Sequence, residues 1–126
     1  MANISIDQLA NEIAKGLSQY SRDVVEKVNI SSERVGKAAV KRLKQISPKD
    51  SGDYAKSWRV KTEPSTGQPN KRIIHNQDHY QLTHLLEHGH AKAGGGRVAG
   101  KPHIRPVEEQ VIKDFAAEVE EAIRDE

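Results

Sequence analysis

Ser51-Gly52-Asp53-Tyr54-Ala55-Lys56-Ser57-Trp58-Arg59-Val60 is the stretch on which the fold turns. From Lys56 to Thr62 the side chains alternate, with Lys56, Trp58, Val60 and Thr62 on one face and Ser57, Arg59 and Lys61 on the other, the period of a half-buried strand. Trp58 is the single tryptophan of the chain and the expected anchor of the sheet. Glu63 to Asn70 holds two prolines and a glycine among polar residues, which reads as a turn, and Lys71-Arg72-Ile73-Ile74-His75-Asn76 returns as a second strand. An antiparallel hairpin over 53–76 is therefore predicted at the centre of the fold.

Upstream of it, Ile6, Leu9, Ile13, Leu17, Tyr20, Val24, Val28, Val35, Ala38, Leu43 and Ile46 recur at threes and fours, so 1–47 reads as one amphipathic helix. Ser5 with Gln8 has the capping-box spacing. Asn29-Ile30-Ser31-Ser32 is poor helix sequence and marks the place for a bend, while Ser47-Pro48 ends the helix, because proline disfavours helical geometry in the residue before it. Nearly forty residues at about 1.5 Å each span roughly 60 Å, more than a domain of this size covers, so part of the helix must lie exposed or find another chain.

Downstream, a short helix is predicted over 78–89, with Tyr80, Leu82, Leu85 and Leu86 apolar and Gly89 as its C-terminal cap. Residues 90–101, with Gly94, Gly95 and Gly96 in a row and little to bury, read as a flexible loop. A last helix follows over 105–125, with Pro106 in its first turn, Glu108 and Glu109 suited to its start, and Val111, Ile112, Phe115, Val119, Ala122 and Ile123 as a stripe. The predicted class is α+β: a single domain, 1–126, in which the long first helix and the last helix pack on a small antiparallel sheet.

Composition sets bounds on function. The chain of 126 residues is 35% hydrophobic with one Trp and one Phe, so the core is thin and aliphatic, anchored by Trp58 and Phe115, and assembly is the expectation. The absence of cysteine excludes a disulfide framework and a thiolate metal site. Met1-Ala2-Asn3 shows no basic region or apolar run, which reads as no signal peptide and no membrane span. Residues 47–106 carry ten Lys and Arg against five Asp and Glu, and 107–126 carry two against eight, a pair of opposite patches that suits head-to-tail docking between copies or folding back within one. The basic residues lack interleaved aromatics and form no dense helical stripe, so a basic nucleic-acid-binding module is a secondary alternative.

The motifs that tempt towards chemistry are incomplete. All six histidines lie between His75 and His103. His84 and His88 have the i, i+4 spacing of two metal ligands, with His90 as a third candidate, which keeps a metal-dependent nuclease or other histidine-site enzyme as the main alternative. Leu85, however, stands where the metalloprotease pattern needs glutamate. Gly95 to Lys101 has the glycine-to-lysine spacing of a phosphate loop, but Pro102 replaces the hydroxyl residue that would hold magnesium. No serine sits in a nucleophile elbow, and Glu87 reads as a helix-end residue paired with a cation such as Arg97 or Arg105. The reading is of a non-enzyme with no cofactor and no metal.

The order of a long helix, Gly-Asp-Tyr-Ala-Lys-Ser-Trp-Arg-Val from Gly52, a helix ending Glu87-His88-Gly89, a glycine-bearing loop and Pro102-His103-Ile104-Arg105-Pro106 before a last helix resembles the minor-tail, or head-to-tail joining, family of tailed bacteriophages. Ser51, Gly52, Trp58, Tyr80, Glu87, Gly89, Pro102 and Pro106 match its positions, and His88 departs from it, an aromatic residue being commoner there. The resemblance implies a tail completion or neck protein made in the bacterial host cytoplasm. It would be carried in the virion, self-associating as a hexameric ring and touching the connector or adaptor and tail-tube proteins, with no membrane and only non-specific contact with passing DNA. Gly94, Gly95, Gly96, Arg97, His103 and Arg105 join the matched positions as the expected assembly residues, with Arg97 reaching the acidic last helix of a neighbour at Glu118, Glu120 and Glu121.

Overall fold

The computed structural model describes residues 6–49 and 52–124. Ser5, Ser51 and residue 125 of the expected last helix lie outside the described residues. The elements are α1 (Ile6–Ile46), α2 (Asp53–Lys56), β1 (Trp58–Glu63), β2 (Lys71–Asn76), a 3-10 turn (Tyr80–Leu82), α3 (Thr83–His88), β3 (Gly89–Ala91), β4 (Arg97–Ala99) and α4 (Ile104–Arg124). The architecture is α+β, two antiparallel strand pairs with a long first helix and a last helix.

α1 runs unbroken through Asn29–Ser32, with Asn29 and Ser32 turned to the hairpin. Asn29 Oδ1 accepts the amide of Asn70 at 2.6 Å, and Arg72 donates from Nε to Ser32 Oγ at 3.1 Å and from Nη2 to the Asn29 carbonyl at 3.3 Å. The helix stops where Ser47-Pro48 predicts: Ser47 returns both its amide and its hydroxyl to the Leu43 carbonyl.

The β1–β2 ladder runs in register from Trp58↔Asn76 to Glu63↔Lys71. Its Val60 packs over Gly36 of α1, where a Cβ would stand 3.6 Å from both Val60 methyl carbons. The hairpin expected over 53–76 begins later than predicted, because Asp53–Lys56 is a helical turn. Tyr54, Ala55 and Trp58 are all buried, and neighbours at i and i+1 cannot both face inward on a strand. Gly52, with φ 87°, turns the chain into this helix.

The core gathers Ala39 and Leu43 of α1, Tyr54 of α2, Trp58 of β1 and Val107 of α4. Phe115, expected to share the anchoring, is half-buried on another face of α4 and outside this cluster. α4 lies antiparallel along α1: Arg34 of α1 pairs with Glu118, and the Tyr20 hydroxyl donates to the Ile123 carbonyl at 3.4 Å, so the end of α4 meets the middle of α1.

Two further expectations change. The helix predicted over 78–89 is a 3-10 turn followed by α3. The segment 90–101, expected as a flexible loop, closes as the hairpin β3–β4 with Ala91↔Arg97 as its last pair. Lys92 donates its amide to Gly96 and accepts from Gly95, and the positive φ of Gly95 and Gly96 makes that turn possible. The glycines thus shape a turn rather than release the chain.

Candidate functional site

α4 starts without a capping side chain of its own: Pro102-His103-Ile104-Arg105-Pro106 offers no Ser, Thr, Asp or Asn at the helix start. Its cap comes from α3. Glu87 Oε1 accepts the amides of His103 and Ile104, both at 2.8 Å, and Oε2 accepts that of Arg105 at 3.0 Å. The next residue, Pro106, has no amide to satisfy, so one carboxylate answers every free donor in the first turn. Burial works against its ionised form, but these three amides, with the His103 ring beside them, outweigh it and hold the Glu87 carboxyl below the usual carboxylate range.

Glu87 is 7% exposed, and its partners are backbone amides, not the cations expected from sequence. The Arg105 guanidinium pairs with Glu109, and Arg97 donates from Nη2 to the His88 carbonyl at 2.7 Å. Arg97, expected to lead the contact with a neighbouring subunit, thus bonds the end of α3 in its own chain. Of the acidic residues expected to receive it, Glu118 pairs with Arg34 and Glu120 with Arg124.

Behind the clasp lies a buried polar chain. His103, fully buried, has Nδ1 2.7 Å from the Lys101 carbonyl and 3.0 Å from Glu87 Oε1. Both are acceptors only, so Nδ1 carries the proton and Nε2, 2.7 Å away, accepts from the Tyr54 hydroxyl. Burial, and after it the Glu87 charge, push the Tyr54 phenol up to about 12, which keeps that donor protonated. Trp58 stands edge-on to Tyr54 and His103, ring centroids 5.8 and 6.3 Å away, and donates its indole N–H to Ser47 Oγ at 2.9 Å. Trp58, Tyr54, His103 and Glu87 therefore tie α1, α2, β1, α3 and α4 together.

Two glycines close the clasp. A Cβ on Gly89 would stand 2.4 Å from the Val98 carbonyl oxygen, and one on Gly100 2.5 Å from that of Glu87. Lys101 donates its amide to the Leu86 carbonyl at 2.8 Å, bringing the strand pair back onto α3. Gly94, Gly95 and Gly96 meet nothing within 4 Å. Gly100 and Tyr54 are the residues of this site that reading by sequence left out. The signal for Tyr54 was its spacing to Trp58; Gly100 carried none beyond its place before Pro102-His103.

The metal candidates divide. His84 and His88 do meet, ring centroids 5.1 Å apart, on a groove shared with Glu108 and Glu109, while His90 lies across the β3–β4 pair. Among the described residues no three His, Asp or Glu side chains come together as a metal set. Tyr80 is 64% exposed on the 3-10 turn, and Pro102 is exposed.

The polar chemistry concentrated at this site joins one element of the fold to another. The family model described as "Bacteriophage HK97-gp10, putative tail-component" matches residues 11–89, more than half of the chain, and the chain belongs to that family. The match includes Trp58, Tyr80, Glu87 and Gly89 and ends before Pro102-His103-Ile104-Arg105-Pro106. No curated protein and no solved structure matches. As a phage tail component the chain has its place in the tail of the virion, and among the described residues no helix is long and apolar enough to cross a membrane.

Proposed function

We propose that this tail component is a non-enzymatic completion subunit that joins head to tail. It assembles as a ring, six copies in our reading, in the neck between the connector or adaptor and the tail tube. What supports the reading is α1. Its 41 residues extend about 62 Å, and the 21 residues of α4 that lie along it about 32 Å. From Gln8 to Arg22 every residue of α1 is exposed, including Leu9, Ile13 and Leu17 at 52, 54 and 64%. A monomer gains nothing from holding that stripe in water, whereas an assembly that covers it does.

The test is to delete the gene from the phage or prophage and view the lysate by electron microscopy. The expected result is filled heads and finished tails that fail to join, rescued by supplying the protein. Normal virions from the deletion strain would overturn the proposal. Native mass spectrometry of the concentrated protein checks the six copies.

A further inference from the structure

Two apolar strips on the helices stay largely exposed, although the Tyr20 hydroxyl reaches the Ile123 carbonyl within the chain and Phe115 and Val119 are half-buried. On α1, Leu17 stands about five turns before Val35, at 3.6 residues per turn, and so on the same side of the helix. Leu9, Ile13, Leu17 and Tyr20 thus continue the face that α4 covers further along, beyond the point where α4 ends. On α4, Val107 and Ala122 are buried against α1, while Ile112, Phe115, Val119 and Ile123 run about a quarter turn away, with Ile112 and Ile123 61 and 51% exposed.

The strips match. The α1 strip steps by four, four and three residues, and the α4 strip read backwards steps by four, four and three. Each spans about 17 Å. Laid antiparallel, they bring Leu9 to Ile123, Ile13 to Val119, Leu17 to Phe115 and Tyr20 to Ile112. Antiparallel is also the direction in which α1 and α4 already pack within one chain.

We infer that the strip Leu9–Tyr20 of α1 docks on the strip Ile112–Ile123 of α4 in a second copy of this chain, extending the α1–α4 seam from one subunit into the next. The inference rests on the self-assembly proposed above and supplies its surface. Joining two different strips is a heterologous contact, which repeats around a ring, whereas α1 against α1 would cover one strip and leave the other bare. Four large side chains a strip bury on the order of 400 Å² per partner, about half of an ordinary stable interface. A single contact is weak, and ring closure makes it lasting.

The chain has no cysteine, so introduced thiols are the only ones present. Leu9→Cys and Ile123→Cys replace exposed side chains and leave the core untouched. Mixed at high concentration and oxidised, the two variants are expected to give a disulfide-linked heterodimer that neither gives alone. Leu9→Cys pairing with itself, or with Ile112→Cys in place of Ile123→Cys, would overturn the contact. Ile13→Asp is expected to raise the concentration needed for self-association by about tenfold or more, the factor for one buried apolar side chain. Self-association on sedimentation with no disulfide in any mixture would sink this surface and leave the ring proposal standing. A chain that stays monomeric at every concentration, and yields no disulfide, would sink both.

Discussion

Replacing Glu87 tests the clasp most directly. An ordinary N-cap side chain satisfies one amide and costs about 1 kcal/mol when removed. Glu87 satisfies three, at 2.8, 2.8 and 3.0 Å, from a buried and ionised position. Glu87→Ala strands those donors and removes the charge facing the helix dipole, for a loss of about 3 kcal/mol, a large part of the 5 to 15 kcal/mol typical of a domain. Glu87→Gln keeps one acceptor at the Oε1 position but turns an N–H₂ towards the Arg105 amide, and about half of that loss is expected. Urea unfolding followed by the single tryptophan measures both, since Trp58 lies against His103, inside the clasp. The sign with pH is fixed too. A carboxyl held below its ordinary 4.5 stabilises the fold fully above that value, and the contribution is lost as pH falls through the lower, folded-state value. The wild-type midpoint should therefore drop on acidification below about pH 4.5 more steeply than that of Glu87→Gln. A Glu87→Ala protein within about 0.5 kcal/mol of wild type would refute the reasoning, because unsatisfied buried amides cannot be that cheap.

Trp58→Ala should cost roughly 3 to 5 kcal/mol, and wild-type Trp58 should emit in the blue, as a buried indole does; emission typical of indole in water would contradict its place in the core. Gly100→Ala should destabilise by about 2 kcal/mol or more, its Cβ meeting backbone that cannot yield, while Gly94→Ala should leave the thermal midpoint unchanged. Ultraviolet titration should show one of the three tyrosines ionising only near pH 12, a step absent in Tyr54→Phe, with stability falling between about pH 10 and 12 as the unfolded chain releases that proton first. Dialysis against a chelator should leave the melting transition as it was, since His84 and His88 meet without a third ligand among the described residues; stoichiometric zinc lost together with cooperativity would revive the histidine-site reading.

Long elements were legible because their periodicity averages over many residues. α1 and α4 could be read from their stripes, and the strand carrying Trp58 from its alternation. Short elements were not: α2 is one turn, and only the joint burial of Tyr54, Ala55 and Trp58 separates it from a strand. The β3–β4 pair has three residues a side, too few for an alternation to show, and glycines that permit a turn look the same as glycines that permit disorder. The charge of Glu87 stands out in the sequence but its partners do not, because the amides it accepts lie 16 to 18 residues further along. The clue was a missing residue. A helix that opens Pro-His-Ile-Arg-Pro has no cap of its own and must borrow one, and a carboxylate at the end of the preceding helix is the natural lender.

The pairing of α1 with α4 also bears on how the chain is made. Tyr20 and Ile123 meet across 103 residues, and Arg34 and Glu118 across 84. A ribosome finishes α1 long before it supplies α4, so the apolar stripe of the first helix emerges with nothing to lie against. Because loop-closure entropy grows only slowly with length, this separation costs the finished fold little. Its cost falls on the interval during synthesis, at roughly 5 to 20 residues per second, when one nascent α1 can meet the α1 of the next chain on the same message. The seam that makes the native subunit thus cannot close until α4 is made, and the time taken to translate the residues from the end of α1 to the end of α4 sets how long α1 waits for it.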